Sequence, residues 1–467
     1  MKYRIEHDSM GDVSVPADRY WGAQTQRSLE NFPIGGERMP LPVIRALGLL
    51  KKAAALANHQ LCPTRMTAEK RDALCAACDA VIRGELDEHF PLVVWQTGSG
   101  TQSNMNANEV IANYANLWAA GKSAPEDLPT VPRLCHPNDD VNMSQSSNDT
   151  FPSAMHVAAV LEIRRRLIPA LDALITVLSR LESENEDIIK SGRTHLQDAT
   201  PIRFSQEISG WRGMSEVCRA QILRACEGLC RLALGGTAVG TGINAPAGFD
   251  RLVTEELSRL TGENFVPDPN KFHALTAKDE LVFAHGALKA LAADLMKIAN
   301  DVRWLSSGPR CGLGEILIPE NEPGSSIMPG KVNPTQCEAL TMVAVQVMAN
   351  DVAVGMAASQ GNFQLNVFMP VCIYNFLQSV SLLSDAMESF RIRCLEGLRA
   401  NRARMEENLH RSLMTVTALA PHIGYENAAR VAKLAHAEGL TLKEACLRLG
   451  YLSAEAFDEA FRFERMV

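Results

Sequence analysis

Four polar segments, rich in serine, asparagine and glycine, hold the residues of this sequence that are best suited to chemistry. They comprise residues 97–104, 144–150, 192–198 and 324–334. We expect each segment to lead into a helix, because serine, asparagine and aspartate are common at helix starts. The free N–H groups and partial positive charge of several converging helix starts would bind an anion. With the charge of Lys331, they suit a small dicarboxylate; the alternative is that these residues only cap helices.

The last of these segments, GSSIMPGKVNP, also has the composition of a loop that closes over a ligand. Its Pro-Gly pair suits a type II turn, and Gly324 provides a hinge. Asn333 followed by Pro334 is typical of a helix N-cap with proline at the first helical position. Closure would bring Lys331 and Asn333 onto a carboxylate and exclude water. A static surface turn is the alternative interpretation.

Long helices are predicted to position the four segments. Apolar residues recur in steps of three and four along three stretches, and a fourth stretch is rich in valine, methionine and alanine. These predicted helices cover residues 167–188, 288–305, 335–358 and 376–394. Pro169 is expected to kink or delay the first of them. Such helices need partners to cover them, so we expect a homo-oligomer rather than a monomeric helical domain.

Strand signals are few, and short strands are predicted only around residues 3–12 and 316–318. The sequence therefore predicts a mainly α protein. We divide it into an N-terminal domain (1–140), a central helical bundle (141–365) and a C-terminal helical domain (366–467).

Charge and composition exclude several classes of partner. The net charge of −8 disfavours a nucleic-acid partner, because such partners bind basic surfaces. No uninterrupted apolar run of about 18 residues is present, so we expect no membrane span. The start of the chain has the pattern of neither a secretory signal nor a transit peptide. Twelve cysteines without a disulfide-like framework are consistent with the cytoplasm.

The motifs in the four segments resemble those of the fumarase/aspartase superfamily. GSSIMPGKVNP is similar to the superfamily signature, and the segments around residues 98–104, 146–149 and 194–197 match its other blocks. The similarity extends from WGAQTQRS at residues 21–28 to GLTLKEA at residues 439–445. This resemblance implies three domains with a central bundle of long helices, a homotetramer, and active sites that combine segments of three chains. It also implies no cofactor and no metal.

Within the superfamily, the details resemble the class II fumarases. His195 stands where aspartases have glutamine, and Gly330 where aspartases usually have alanine. Asp139, Ser144 and Ser147 also resemble the fumarase form. The resemblance implies the reversible hydration of fumarate to L-malate, by elimination and addition through an aci-carboxylate. The alternatives are an ammonia-lyase acting on aspartate, a non-catalytic crystallin-like protein and a helical scaffold.

The resemblance also implies roles for individual residues. Ser325 is the implied general base for the C3 proton of malate, and His195 the acid or base that acts on the water, oriented by Glu338. Substrate binding is implied for Ser99, Gly100, Thr101, Ser146, Ser147, Asn148, Thr194, Ser326, Lys331, Val332 and Asn333. A second carboxylate site is implied for Arg133, His136, Pro137, Asn138 and Asp139. A proline-containing turn is the alternative interpretation of the second site.

Overall fold

Helices dominate the computed structural model of the chain, which describes residues 2–467 and confirms the mainly α prediction. The α-helices are α1 (Ala23–Asn31), α2 (Leu41–Leu61), α3 (Ala68–Arg83), α4 (Thr101–Ala119), α5 (Ser147–Glu162), α6 (Ile168–Glu184), α7 (Phe204–Leu229), α8 (Phe249–Thr261), α9 (Lys271–Thr276), α10 (Asp279–Leu305), α11 (Thr335–Ala358), α12 (Met369–Arg393), α13 (Arg402–Arg411), α14 (Ala420–Ile423), α15 (Tyr425–Glu438), α16 (Leu442–Arg448) and α17 (Ala454–Ala460). Two π-helical turns lie at Pro137–Val141 and Ile163–Leu167. Short 3₁₀ turns lie at Asp87–His89, Pro125–Thr130, Leu395–Gly397, Leu413–Leu419 and Phe463–Arg465.

The strands of residues 2–467 form two-stranded sheets. They are β1 (Tyr3–Asp8), β2 (Gly11–Pro16), β3 (Ile189–Thr194), β4 (Gln197–Arg203), β5 (Arg231–Leu232), β6 (Val266–Pro267), β7 (Ile316–Leu317), β8 (Gly361–Asn362), β9 (Leu365–Asn366) and β10 (Arg399–Ala400). The pairs β1–β2, β3–β4, β7–β10 and β8–β9 are antiparallel, and β5–β6 is parallel. The strands predicted near residues 3–12 and 316–318 are therefore confirmed.

The predicted long helices are present with small differences at their ends. α11 has the predicted bounds, and α10 and α12 cover their predicted stretches apart from Cys394. α6 ends at Glu184, because the chain turns towards β3 before Ile188. The π-helical turn before α6 lies just ahead of Pro169, which has no N–H to donate to the carbonyl of Arg165.

The chain divides into two compact units, each built from three stretches of sequence. The first unit comprises Met1–Ile168, Ala220–Ala290 and Val345–Leu383, and the second Pro169–Arg219, Leu291–Ala344 and Ser384–Val467. In the first unit, α2 packs on α3, α5 and α8, and α3 packs on α4. In the second unit, a small apolar core joins α15, α16 and α17. The division into three domains at residues 140 and 365 stays a prediction.

The helix α11 is apolar but poorly covered by its own chain. Its mean hydropathy reaches 1.5, which by length and composition alone would allow it to cross a membrane, yet only 28% of that stretch is buried. Met342, Val345, Val352 and Met356 are each more than half exposed. One such helix is weak grounds for a membrane span, since contacts between subunits have the same apolar composition.

Candidate active site

Helix α5 begins at a capping box that fixes the second polar segment. The Ser146 hydroxyl oxygen accepts the N–H of Asn148 at 3.2 Å, and the Ser146 N–H donates to Asp149 Oδ1 at 2.9 Å. This arrangement confirms the helix start predicted at residues 144–150. The N–H groups of the first turn that stay free give this helix end a partial positive charge, which favours an anion.

A chain of hydroxyl groups joins the first polar segment to the second. Ser99 Oγ and Thr101 Oγ1 lie 2.8 Å apart, and Thr101 Oγ1 and Ser147 Oγ lie 2.8 Å apart. Position 100, between Ser99 and Thr101, requires glycine. Gly100 has a φ of +72°, and a Cβ on it would lie 2.3 Å from the Phe151 ring. The structure thus brings these predicted substrate-binding residues together. Thr101, Ser146 and Ser147 line a cavity of about 370 Å³ within the first unit.

A glycine-rich loop at residues 235–248, which the sequence analysis did not single out, forms another wall of this cavity. Thr237, Ala238 and Asn244 line it. The buried Asp149 carboxylate holds the loop, since its Oδ2 accepts the N–H of Gly235 at 2.9 Å and of Thr237 at 2.8 Å. Burial raises the pKa of Asp149, while these N–H donors oppose the rise. The five glycines in its sequence, GGTAVGTGINAPAG, are the feature by which this loop could have been recognised.

The side chain of Lys51 on α2 contacts residues that line the cavity. The sequence analysis did not single out this lysine. Its Nζ is buried and donates to Asn142 Oδ1 at 2.9 Å and to Gln145 Oε1 at 3.0 Å. Asn142 and Gln145 both line the cavity. Burial lowers the pKa of Lys51 to about 7, against the attraction of the Asp149 carboxylate.

The third polar segment does not lead into a helix, so that prediction is wrong. It forms the β3–β4 hairpin, in which Thr194 pairs with Gln197. The two turn residues, His195 and Leu196, have φ values of +57° and +59°. Two-residue hairpin turns of this handedness favour asparagine and glycine, so the turn is strained with histidine and leucine. Thr194 and His195 are exposed.

Buried ion pairs anchor this hairpin within the second unit. Arg193 donates to both carboxylate oxygens of Glu315, at 3.0 and 2.5 Å, and Lys190 Nζ lies 3.2 Å from the same group. Glu315 is fully buried and also accepts the Asn408 amide at 3.0 Å. Burial alone would raise the pKa of Glu315, but Arg193 and Lys190 hold it below its ordinary value. The bidentate pair fixes the strand that leads to His195.

The fourth polar segment is a closed loop. The Gly324 N–H donates to the Lys331 carbonyl at 2.9 Å, and Asn333 Nδ2 donates to the Gly324 carbonyl at 2.6 Å. A Cβ on Gly324 would lie 2.2 Å from the Lys331 oxygen, so only glycine fits there. The predicted type II turn is present, with φ of +78° at Gly330. The Asn333 amide is used within the loop, and α11 begins after Pro334 rather than at it.

Within this loop, the Ser325 hydroxyl oxygen accepts two backbone hydrogen bonds. The donors are the N–H groups of Ile327 at 3.2 Å and Met328 at 3.1 Å. Donors in this position stabilise negative charge on the serine oxygen. Ser326 is exposed beside it.

A cleft of about 680 Å³ in the second unit lies next to this loop. Lys331, Val332, Asn333 and Glu338 line it, so the structure brings these predicted residues together. Arg303 on α10 also lines the cleft and was not predicted. Glu338 lies in the first turn of α11. Among residues 2–467 no hydrogen bond joins Glu338 to His195, so the predicted orienting role of Glu338 has no support within one chain.

The predicted second carboxylate site is built around a π-helical turn. His136 Nδ1 accepts the N–H groups of Asn138 and Asp139, each at 3.3 Å, and Pro137 begins the turn. Arg133 Nη2 lies 3.5 Å from Glu6 Oε2 and is exposed. The His136 ring therefore caps the turn, as the alternative interpretation expects, and the second carboxylate site stays a prediction.

Comparison with known proteins places this arrangement in a family. A family model described as lyase matches residues 11–349, and one described as fumarase C C-terminus matches residues 416–467. The first match covers more than half of the chain, and it includes all four polar segments. The chain belongs to this lyase family.

Whole-chain relatives place it more narrowly. Fumarate hydratase class II of Bacillus subtilis is 62% identical over 467 residues, which span 100% of this chain and 99% of that protein. The Helicobacter pylori protein of the same name is 60% identical with the same coverage. The crystal structure of a class II fumarase from Schistosoma mansoni matches with a TM-score of 0.95 at 42% identity, over 100% of this chain and 99% of that one. Within the lyase family, the chain therefore groups with the class II fumarate hydratases.

Proposed function

We propose that this chain catalyses the reversible hydration of fumarate to L-malate, as a hydro-lyase of the tricarboxylic acid cycle that needs no cofactor. The observation that carries the proposal is the Ser325 oxygen, which accepts the N–H groups of Ile327 and Met328 in the loop that also bears Lys331 and Asn333. A serine base needs such donors, because a hydroxyl is otherwise too weakly basic to take a proton from carbon. The class II fumarate hydratase relatives support the same reaction.

In this mechanism Ser325 acts as the alkoxide that the Ile327 and Met328 N–H groups stabilise, and it becomes a neutral hydroxyl when it takes the C3 proton of malate. The electron pair left on carbon moves into the adjacent carboxylate, which becomes a doubly charged aci-carboxylate. Lys331 and Asn333, with Ser326 and the backbone at Val332, bind that group. Their positive charge and N–H donors stabilise the intermediate more than the substrate, which is what lowers the barrier.

His195 protonates the departing hydroxyl group and, in the reverse direction, removes a proton from the attacking water. Histidine suits both directions because its imidazole donates a proton when charged and accepts one when neutral. Glu338 orients His195, and we assign their contact to different subunits. The remaining substrate-binding residues hold the other carboxylate and the water: Ser99, Gly100, Thr101, Ser146, Ser147, Asn148 and Thr194.

A homotetramer with active sites shared between subunits completes the proposal. The exposed apolar side chains of α11, such as Met342 and Val352, support burial against other subunits. We place the enzyme in the cytoplasm, with fumarate and malate as its small-molecule partners and with neither nucleic acid nor membrane. We also retain the three domains at 1–140, 141–365 and 366–467. Residues 133 and 136–139 form the proposed second carboxylate site.

Absorbance at the fumarate band tests the reaction. The purified protein is given L-malate or L-aspartate in the presence of a chelator. We expect a rise with malate alone. A rise with aspartate would instead identify an ammonia-lyase, and no rise with either substrate, with or without the chelator, would overturn the proposed function. Loss of activity on chelation would overturn the absence of a metal cofactor.

A further inference from the structure

The stretch that joins β9 to α12 lies directly against the first polar segment, within the first unit. The Met369 N–H donates to the Gly98 carbonyl at 3.0 Å. A Cβ built on Gly98 would lie 1.4 Å from the Val367 carbonyl oxygen, so the two backbones touch and only glycine fits at position 98. Such a close approach of two backbones is one of the uses of glycine. The mechanism above gives this contact no role.

The Asn366 side chain fixes this stretch to the end of α11. It is fully buried, and its Nδ2 donates to the carbonyls of Ala357 at 3.0 Å and Ala358 at 3.3 Å. Its Oδ1 accepts the Phe368 N–H at 2.8 Å. The amide therefore satisfies two carbonyl groups that the helix end leaves without helical partners, and it holds the backbone that reaches Gly98.

On the other side of the contact, Gly98 precedes the chain of hydroxyl groups. Ser99 Oγ lies 2.8 Å from Thr101 Oγ1, which lies 2.8 Å from Ser147 Oγ. A shift of Gly98 would move Ser99 directly, and the hydrogen bonds would pass the shift on to Thr101. Substrate binding is sensitive to such shifts, because a misplacement of about 1 Å can cost about a hundredfold.

We propose that residues 366–369 are a positioning element, which sets the place of the Ser99 and Thr101 hydroxyls through its contact with Gly98. These hydroxyls hold the carboxylate of the substrate that Lys331 and Asn333 do not bind. Asn366 and Gly98 act through the hydroxyls and not by contact with the substrate. The inference rests on the proposed function and deepens it, since it names the residues that keep a substrate-binding group in place.

Gly98→Ala tests this inference, because the added methyl group must push the two backbones apart. We expect the KM for malate to rise about tenfold, the effect of losing roughly one hydrogen bond to a carboxylate. The inhibition constant of succinate, which has both carboxylates and is not hydrated, should rise by the same factor. Neither constant depends on the fraction of enzyme that is folded, so a variant that is only less stable would leave both unchanged.

Asn366→Ala reaches the same contact from the opposite side and leaves the first polar segment intact. We expect both constants to rise as in Gly98→Ala. The melting temperature should also fall, because the Ala357 and Ala358 carbonyls lose their donor. Either variant tests the inference if the other does not fold.

Each variant has a matched control. A Cβ on Gly36, also in the first unit, would meet no atom within 4 Å, so Gly36→Ala should change nothing. Asn427 Nδ2 donates to the Ile423 carbonyl at the end of α14, at 2.9 Å, as Asn366 does at the end of α11. Asn427→Ala should lower the melting temperature and leave the constants for malate and succinate unchanged.

Each other outcome has a distinct meaning. Unchanged constants in a folded Gly98→Ala or Asn366→Ala protein would overturn the inference and leave these residues with a purely structural role. A higher KM for malate with an unchanged inhibition constant of succinate would overturn it too, because the contact would then act on the departing hydroxyl group rather than on a carboxylate. If the wild-type protein does not act on malate, the proposed function fails first and the inference fails with it.

Discussion

The Ser325 side-chain oxygen lies 3.1 Å from the backbone nitrogen of Met328 and accepts its hydrogen bond. This contact and the parallel one from Ile327 exist because the chain turns tightly after Gly324. A hydroxyl held in this way has its lone pairs directed at N–H groups, so charge on the oxygen is stabilised as it develops.

Replacing Ser325 by alanine should therefore abolish most of the catalysis. We expect kcat for malate to fall by about 10²–10⁴-fold, the range found for loss of a general base, with little change in the melting temperature. The rate of fumarate formation measures this. Ser453→Ala, which removes the serine capping α17, is the control and should leave kcat unchanged. A Ser325→Ala enzyme with near wild-type kcat would exclude serine as the base.

Removing the charge of Lys331 should weaken substrate binding and also lower kcat, because in the proposed mechanism Lys331 stabilises the intermediate more than the substrate. Lys331 is exposed and lines the cleft beside Asn333, where a carboxylate would accept a charge-assisted hydrogen bond. Such bonds contribute about 1.5–3 kcal/mol, so Lys331→Met should raise KM by roughly 10–100-fold. Lys433→Met replaces another exposed lysine and should leave KM unchanged. If both variants had the same effect, Lys331 would act only through the net charge of the protein, which would contradict a direct contact with the substrate carboxylate.

The buried Lys51 should make stability depend on pH. Its pKa is lowered from 10.5 to about 7 by burial, so between these values the unfolded chain binds more protons than the folded one. The free energy of unfolding should then rise with pH above 7, by up to about 1.4 kcal/mol per pH unit, while below pH 7 the cost of burying the charge is present in full. Denaturant unfolding of wild type and Lys51→Met across this window measures it. A difference between them that is constant with pH would contradict the prediction.

Relaxing the hairpin turn should stabilise the fold. A left-handed conformation costs leucine about 1–2 kcal/mol, and glycine adds about 0.5–1 kcal/mol of unfolded-state entropy, so Leu196→Gly should gain up to about 1.5 kcal/mol. Denaturant unfolding tests this against Leu196→Ala, which keeps the positive φ of +59° at a residue with a Cβ. Equal stability of the two variants would mean that the turn is not strained.

Much of the fold was predictable, because its signals are local. The apolar spacing that forms α10 and α12 repeats every three or four residues, and the capping box of Ser146 and Asp149 spans three. The Pro-Gly pair likewise set the turn at Gly330 by the conformations these two residue types prefer.

The remainder depends on contacts between distant residues. His195 and Leu196 adopt a turn that their own preferences oppose, since Arg193 and Glu315 anchor the strand beside it. Lys51 has the charge of a surface residue, and Asn142, Gln145 and the Asp149 carboxylate, all far along the chain, offset the cost of burying it. The spacing of residues along the sequence does not predict such contacts between distant residues.

The Asp149 carboxylate bonds the start of α5 through Ser146 and the glycine-rich loop through Gly235 and Thr237. Two walls of one cavity thus share a single anchor, and any change at this position would disturb both at once. Evolution toward a new substrate would then proceed through cavity residues that do not bond to Asp149, because their side chains can change without releasing the frame. Asp149 is expected to be invariant even among relatives that handle different leaving groups.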